Sequence, residues 1–503
     1  MLLIFPLLAT LFLTIIYFLR KNPRKNESFH PPTGPKGIPF IGNLHQYNPS
    51  NPHIYFANLA KIYGPILSLR FGRVPVVVVQ SAKLAKEVLQ TQDLNFCSRP
   101  PIGGMKRLSY NGLDIAFTPY NEYFKKIKKI SVVHLLSSKR VESFAPIRQE
   151  EVSMMMHKIS SLSSASKPVN LSELLMSFTS SNICRIAFGK RYEDDEGSRS
   201  KYHSLLNEAE ALLITFFYSD ILPYFGWLDK LTGKFSRLEK TFKKLDAFYE
   251  EVINDHINPN KPKSDREDII DILLQLRQQQ PSLELTLDHI KAVLMNIFIA
   301  STDTSAAMVI WAMTELIKHP NSMKNVQEEL RNTMQNKGRR YINNDDLKDL
   351  GYFKAVVKET FRLHPASPLL IAHETIHRTT IEGYDILPKT LVYVNAWAIG
   401  RDPDSWNDPE NFVPERFLES SIDFIGCDFE LIPFGAGRRS CPGLHLGVAN
   451  MEVALANLLH VFDWELPAGL EREDIDTNVI PGIAMHKKIP LRLVAKTKLM
   501  DQM

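Results

Sequence analysis

Met1 to Leu19 carries no charged residue and is nearly all Leu, Ile, Phe, Ala and Thr, with one proline at Pro6; Arg20, Lys21, Arg24 and Lys25 follow at once. Nineteen helical residues span roughly 28 Å, close to the ~30 Å hydrocarbon core of a bilayer. The pattern predicts an uncleaved transmembrane anchor over 1–19. A cleaved signal would carry its positive charge before the apolar run and a small-residue cleavage site after it. Positive charge on the trailing side puts the rest of the chain in the cytosol. Four prolines in His30 to Pro39 exclude helix, so 20–39 reads as a basic, proline-rich, semi-rigid linker.

Beyond it, apolar residues recur at helical spacing over 205–217, 235–257, 265–279, 286–319, 321–336 and 349–363. Short β-like runs occur at Ile66–Leu69, Val74–Val79, Thr380–Tyr384 and Leu391–Val394. No repeat of fixed period appears. The longest helical segment, with Thr286 as N-cap and Asp288 in its first turn, would cross the whole body. Inside it, Ser301 to Ser305 are five consecutive polar residues between the apolar flanks Met295–Ala300 and Ala306–Ile310. Those flanks argue against a solvent-facing stripe and for a functional polar break. Ser and Thr there can bond back to the i−4 carbonyl and bend the helix, and a buried Asp303 must be paired.

The composition narrows the class. Of 503 residues, 44% are apolar and 23% charged, which is ordinary for a globular protein. The formal net charge of +4 is too mild to indicate a nucleic-acid partner. Four cysteines, none in a C-x-x-C pair, exclude a disulfide scaffold and a zinc ribbon. Three of them, Cys97, Cys184 and Cys427, read as inert. Cys441 lies in Pro-Phe-Gly-Ala-Gly-Arg-Arg-Ser-Cys-Pro-Gly, residues 433–443, just before the apolar run Leu444–Val461. Glycines allow tight turns and close approach to a bulky group, and a thiolate before a helix N-terminus is favoured.

This segment resembles the haem-binding loop of the cytochrome P-450 family, F-x-x-G-x-R-x-C-x-G, at Phe434, Gly437, Arg439, Cys441 and Gly443. Three further motifs of that family occur in the family's order: the oxygen-activating segment at Ala300–Ser305, E-x-x-R at Glu359 and Arg362, and P-E-R-F at Pro414–Phe417. In detail the chain resembles the plant A-type microsomal enzymes, near the subfamilies that oxidise aldoximes and aromatic metabolites. The resemblance implies a mainly α fold with small β-sheets (α+β), and one catalytic domain over 40–503. It implies a haem b cofactor and a monooxygenase inserting one oxygen atom from O2 into a small hydrophobic metabolite, aromatic, oxime or terpenoid. Cys441 would be the iron ligand, and a thiolate ligand favours O–O cleavage. Arg439 would pair with a haem propionate and Phe434 would shield the thiolate. Thr304 with Asp303 would deliver protons to dioxygen. Glu359, Arg362 and Arg416 would form a structural ion-pair network.

Three departures from the family pattern stand out. Ser301 replaces the usual Gly of the oxygen motif. In the basic helix Phe124 replaces Trp and Lys128 replaces Arg, so a hydrogen-bond donor and a bidentate fork are lost at the expected propionate contacts. The proline hinge gains Thr33. Lys125, Lys126, Lys128 and Lys129 read either as a solvated helix face or as a basic patch that steers an acidic electron donor. No nucleotide-binding fingerprint occurs. Electrons are therefore expected from a partner, and the resemblance implies NADPH–cytochrome P-450 reductase in the same endoplasmic-reticulum membrane. Substrate-pocket candidates are Ser109, Phe117, Phe216, Phe298, Ala300, Ser301, Ser367, Leu370 and Ile483. A reductase-independent isomerase or dehydratase and a non-catalytic haem-binding membrane protein are the alternatives.

Overall fold

The computed structural model describes residues 29–192, 196–260, 266–335, 337–480 and 482–498. The expected anchor and the basic cluster behind it lie outside these residues. The described body is mainly α-helix with small β-sheets. Helical spacing at 235–257, 286–319, 321–336 and 349–363 becomes Lys234–Ile257, Leu287–Lys318, Pro320–Met334 and Gly351–Leu363. The helix expected at 265–279 starts only at Ile269, where Asp268 caps it reciprocally with Asp271. The strand expected at Thr380–Tyr384 is instead a tight hairpin. Thr379–Ile381 pairs with Tyr384–Ile386, and Glu382 and Gly383 turn the chain with φ of +50° and +79°.

The long helix Leu287–Lys318, roughly 48 Å from end to end, organises everything else. Thr286 and His289 form its capping box. Its first half packs with Leu171–Phe188, Lys234–Ile257 and Ile269–Gln279; its second half packs with Gly351–Leu363 and Leu444–Val461. This helix and Leu444–Val461 are apolar enough to cross a membrane, yet 83% and 78% of their apolar windows are buried in the body. Their hydrophobicity is that of a core. From Ile290 to Ile317 only Ala300, Ser301 and Thr304 are not buried. Positions i, i+1 and i+4 share one helix face, so the helix is sealed everywhere except one short stripe.

A four-stranded sheet flanks the helical body. Its order is Ile66–Phe71, Val74–Val79, Leu391–Val394, His373–Glu374, with the middle pair parallel. Single bridges from Cys97 and Ser98 to Glu374 bring the segment before Arg99 alongside His373. The proline-rich segment lies along the first strand: the Ser68 amide donates to the Thr33 carbonyl at 2.9 Å and the Ser68 hydroxyl to that of Pro32 at 2.7 Å.

Candidate active site

The Cys441 loop is a closed hairpin. The Cys441 amide donates to the Phe434 carbonyl at 2.9 Å, and the Gly435 amide to that of Ile432 at 3.0 Å. Gly437 has φ +66°, and a Cβ there would sit 1.9 Å from the Leu89 carbonyl oxygen, so no other residue fits. It presses the loop onto the π-helical turn Glu87–Thr91 and does not itself line the cavity described next. Phe434 is wedged against Phe361 and Phe424, with ring centroids 5.3 and 5.8 Å away. Gly443 is the N-cap of Leu444–Val461, and a Cβ there would make an ordinary 3.8 Å contact with Cys441 Sγ. The thiol is exposed, but to an internal cavity deep in the molecule. Burial pushes its pKa up; the Gly443 amide and the Lys128 ammonium pull it back.

That cavity has a volume of ≈730 Å³, within the range for a buried ligand. One wall is the loop Pro433–Gly443; another is the open stripe Ala300, Ser301 and Thr304 with Asp303 beside it. The stripe is not a break in the helix. Thr304 Oγ1 donates to the Ala300 carbonyl at 2.7 Å and Thr302 Oγ1 to that of Phe298 at 2.8 Å, yet the helix runs on unbroken. Phe117, Ser367, Leu370 and Ile483 supply further lining.

Among the basic side chains that line the cavity, Arg99, Lys128 and His373 are each electrostatically coupled to Arg439. Arg439 is held by carbonyls, with Nε 2.6 Å from that of Cys97 and Nη2 2.6 Å from that of Thr118. Its guanidinium stacks 3.6 Å above the Phe124 ring. Phe124 thus supports the arginine, although it cannot donate a hydrogen bond. Arg99 donates to the carbonyls of Ala116 at 3.0 Å and Ala372 at 2.8 Å. Lys128 donates to the Arg438 carbonyl. Burial lowers all four pKa values, Arg439 to about 10 and Lys128 to about 8. Arg439 adds to the lowering of the other three by repulsion.

The expected structural network is equally definite. Arg362 binds both Glu359 oxygens, at 2.7 and 2.8 Å, and donates to the Gly400, Pro409 and Asn411 carbonyls. Arg416 Nε donates to Glu359 Oε1 at 3.1 Å, and the Val413 amide donates to the same oxygen at 2.8 Å. All of it lies behind the loop, away from the cavity.

Three pocket candidates fall elsewhere. Ser109 caps a turn, donating to the Lys106 carbonyl and accepting from the Gly112 amide. Phe298 is buried in an aromatic cluster with Phe188 and Phe248. Phe216 sits edge-on to Tyr218, outside the cavity, with Lys234 over its ring. Phe298 turns into that cluster, whereas its neighbours Ile297, Ile299 and Ala300 line the cavity. Sequence reasoning missed the roles of Arg99, His373, Glu210 and His486, because no local spacing links residues that meet only through the sheet and the C-terminal hairpin.

A family description, Cytochrome P-450, matches residues 32–491. The chain is 46% identical over 490 residues to 5-OH-xanthotoxin synthase of Ammi majus, covering 96% of each. It is equally 46% identical over 489 residues to 6,7,8-trihydroxycoumarin synthase of Pastinaca sativa, again covering 96% of each. A zebra fish cytochrome P-450 solved with progesterone superposes with a TM-score of 0.76 at 25% identity, over 88% of this chain and 99% of that one. The chain belongs to the cytochrome P-450 family. It is therefore an oxidoreductase that incorporates oxygen, a haem-thiolate monooxygenase whose class binds haem b and receives electrons through a redox partner.

The cavity fits such a group. Haem b is a flat apolar ring with two carboxylates at one edge. The site offers one thiol, apolar walls and a cluster of buried basic groups held only by neutral carbonyls. A buried positive cluster of this kind is costly until an anion joins it.

Proposed function

We propose that this chain is a membrane-anchored monooxygenase that hydroxylates a small, flat, oxygenated aromatic metabolite of the coumarin and xanthotoxin type named for its relatives. One observation carries the reading: the open stripe Ala300, Ser301 and Thr304 lines the cavity that the Cys441 thiol also enters. When bound, the haem supplies the dioxygen-activating redox chemistry. The chain does the rest. Cys441 would ligate the haem iron, and Arg439, Arg99 and Lys128 would hold its propionates. Phe434 and the loop keep water from the thiolate. Asp303 passes a proton on to Thr304 Oγ1, which faces the cavity. Ser301 narrows the groove beside the helix and adds a hydroxyl that can orient a polar edge of the substrate, with Ser367 on another wall. Phe117, Leu370 and Ile483 exclude water from its apolar faces.

The membrane reading rests on the surface as well as on the apolar run 1–19. Tyr224, Trp227 and Leu231 are 74%, 58% and 72% exposed, and Ile38 and Phe40 are exposed beside them. The two groups are joined, because the Gly72 amide bonds to Ile41 and the Arg73 amide to Ile221. Such an apolar and aromatic face next to the proline-rich linker suits a membrane interface. It orients the 40–503 domain on the endoplasmic-reticulum surface, with anchor 1–19 and linker 20–39 leading into the bilayer. Exposed Lys125, Lys129 and Arg438 lie on the Cys441 side of the molecule. Of the basic patch expected at Lys125, Lys126, Lys128 and Lys129, Lys128 turns inward to the Arg438 carbonyl, while exposed Lys125 and Lys129, joined by Arg438, suit the docking of an acidic NADPH–cytochrome P-450 reductase.

The test is reconstitution of the full chain with that reductase, NADPH and a panel of coumarins. A product one oxygen atom heavier, dependent on reductase and O2, is expected. Turnover without reductase would indicate the isomerase or dehydratase alternative; a ligand spectrum without any turnover would indicate a binding protein. Thr304→Ala is expected to keep NADPH use but lower product per NADPH several-fold. Unchanged coupling would remove Thr304 from the proton path.

A further inference from the structure

Asp303 is met from two other elements. His486, in the strand His486–Lys487 of the C-terminal hairpin, places Nε2 3.0 Å from Asp303 Oδ2. Glu210, near the end of Glu196–Leu213, shares a side-chain hydrogen bond with Asp303. All three side chains line the cavity. Two carboxyl groups in hydrogen-bond contact cannot both be ionised, so one of them carries a proton. The contacts say which. His486 can donate to Asp303, which suits a carboxylate there. Glu210 Oε1 is buried with no hydrogen-bond partner, which a neutral acid tolerates far better than an anion. The other charges nearby are committed: Glu208, on the same helix, pairs with Arg237 at 2.6 Å, and Lys487 donates to the Asp476 carbonyl. Burial and the Asp303 charge hold the Glu210 carboxyl far above the usual range, at about 10.

We propose that Glu210, Asp303 and His486 form a proton store beside the cavity, in which Glu210 holds the proton and His486 refills it from solvent. Glu210 and His486 are positioning residues acting through Asp303, and the inference rests on the reading of Asp303 as donor to Thr304. Each transfer is balanced. The Glu210 O–H bond breaks, an Asp303 O–H bond forms and Glu210 is left as the carboxylate; Asp303 then gives that proton to Thr304 and is a carboxylate again. His486, whose side chain is 24% exposed, then passes a solvent proton back through Asp303.

Infrared spectroscopy of the resting ferric holoenzyme tests the store without turnover. The band of a neutral, hydrogen-bonded carboxylic acid is expected in the wild type, absent in Glu210→Gln and regained in Glu210→Asp. Glutamine keeps an N–H donor to Asp303 but no transferable proton. It is therefore expected to lower product per NADPH several-fold and to raise the solvent isotope effect, with Glu210→Asp rescuing both. His486→Gln is expected to lower coupling while keeping the band. Absence of the band from the wild type overturns the store. So does wild-type coupling in Glu210→Gln while Thr304→Ala uncouples, which leaves the Thr304 reading intact. If Thr304→Ala also left coupling unchanged, that reading would fall and the store with it.

Discussion

Two groups of buried arginines lie on either side of the Cys441 loop, and they are solved differently. Arg362, 1% exposed, faces Glu359, 0% exposed, through a two-pronged ion pair, and Arg416 joins the same carboxylate. That network is closed, since its positive charge is answered by a carboxylate inside the protein. Arg99 and Arg439 are as firmly held, but by carbonyl oxygens, and among the described residues neither they nor Lys128 forms an ion pair with a carboxylate. That cluster is open. The difference separates a charge that braces the fold from a charge that awaits a ligand. A closed pair adds specificity at little net gain in stability, whereas an open cluster carries a desolvation cost that an incoming anion offsets.

The comparison can be broken at several points. The largest effect is expected at the centre of the open site. Cys441→Ala should abolish the red-shifted carbon monoxide band of the reduced protein and all turnover; survival of that band would reassign the ligand. Next is the closed network. Arg362→Ala strands Glu359 without its main partner and should cost ~3–5 kcal/mol of stability, read as a lower urea midpoint that excess haem does not restore. Arg439→Leu should behave in the opposite sense. It would remove the charge-assisted bonds proposed to the cofactor, worth about 1.5–3 kcal/mol, so haem loss to an acceptor globin should quicken roughly 10- to 150-fold, and excess haem should restore the spectrum. If Arg362→Ala were rescued by haem and Arg439→Leu were not, the distinction between closed and open charge would be wrong. The smallest effect sharpens the picture with a third buried charge. The Glu210 carboxyl titrates far above its unfolded value near 4.3. The folded state therefore binds more protons than the unfolded one, and its stability contribution is lost as pH rises through that interval. Glu210→Gln should flatten the fall of the melting temperature between pH 6 and pH 9 (chosen within that interval). An unchanged slope would mean that Glu210 is already ionised in the folded protein.

Much of this site is legible in the sequence alone. The spacing of Phe434, Gly437, Arg439, Cys441 and Gly443 is local, and a loop encodes its geometry in consecutive residues. The polar run 301–305 was legible for the same reason, as a local exception to a strong period. The back-bonding expected there is present at Thr302 and Thr304, and the helix runs on unbroken between the cores packed along its two halves. The pocket was legible only in part. Ala300, Ser301 and Leu370 line it, whereas Ser109, Phe216 and Phe298 do not, since which face of an element turns inward depends on its neighbours.

By itself, then, the sequence determined the helical body, the thiolate loop, the ion-pair motif and the class of chemistry, because each is written in short-range spacing that chain geometry converts directly into a local shape. Only the tertiary structure decided which charges are answered and which are left open. Arg99 meets His373 across a sheet bridge, Phe124 slides beneath Arg439, and Glu210 and His486 close on Asp303 from distant parts of the chain. The energy of a buried charge is set by what surrounds it in space, and that is settled only when the whole chain has folded.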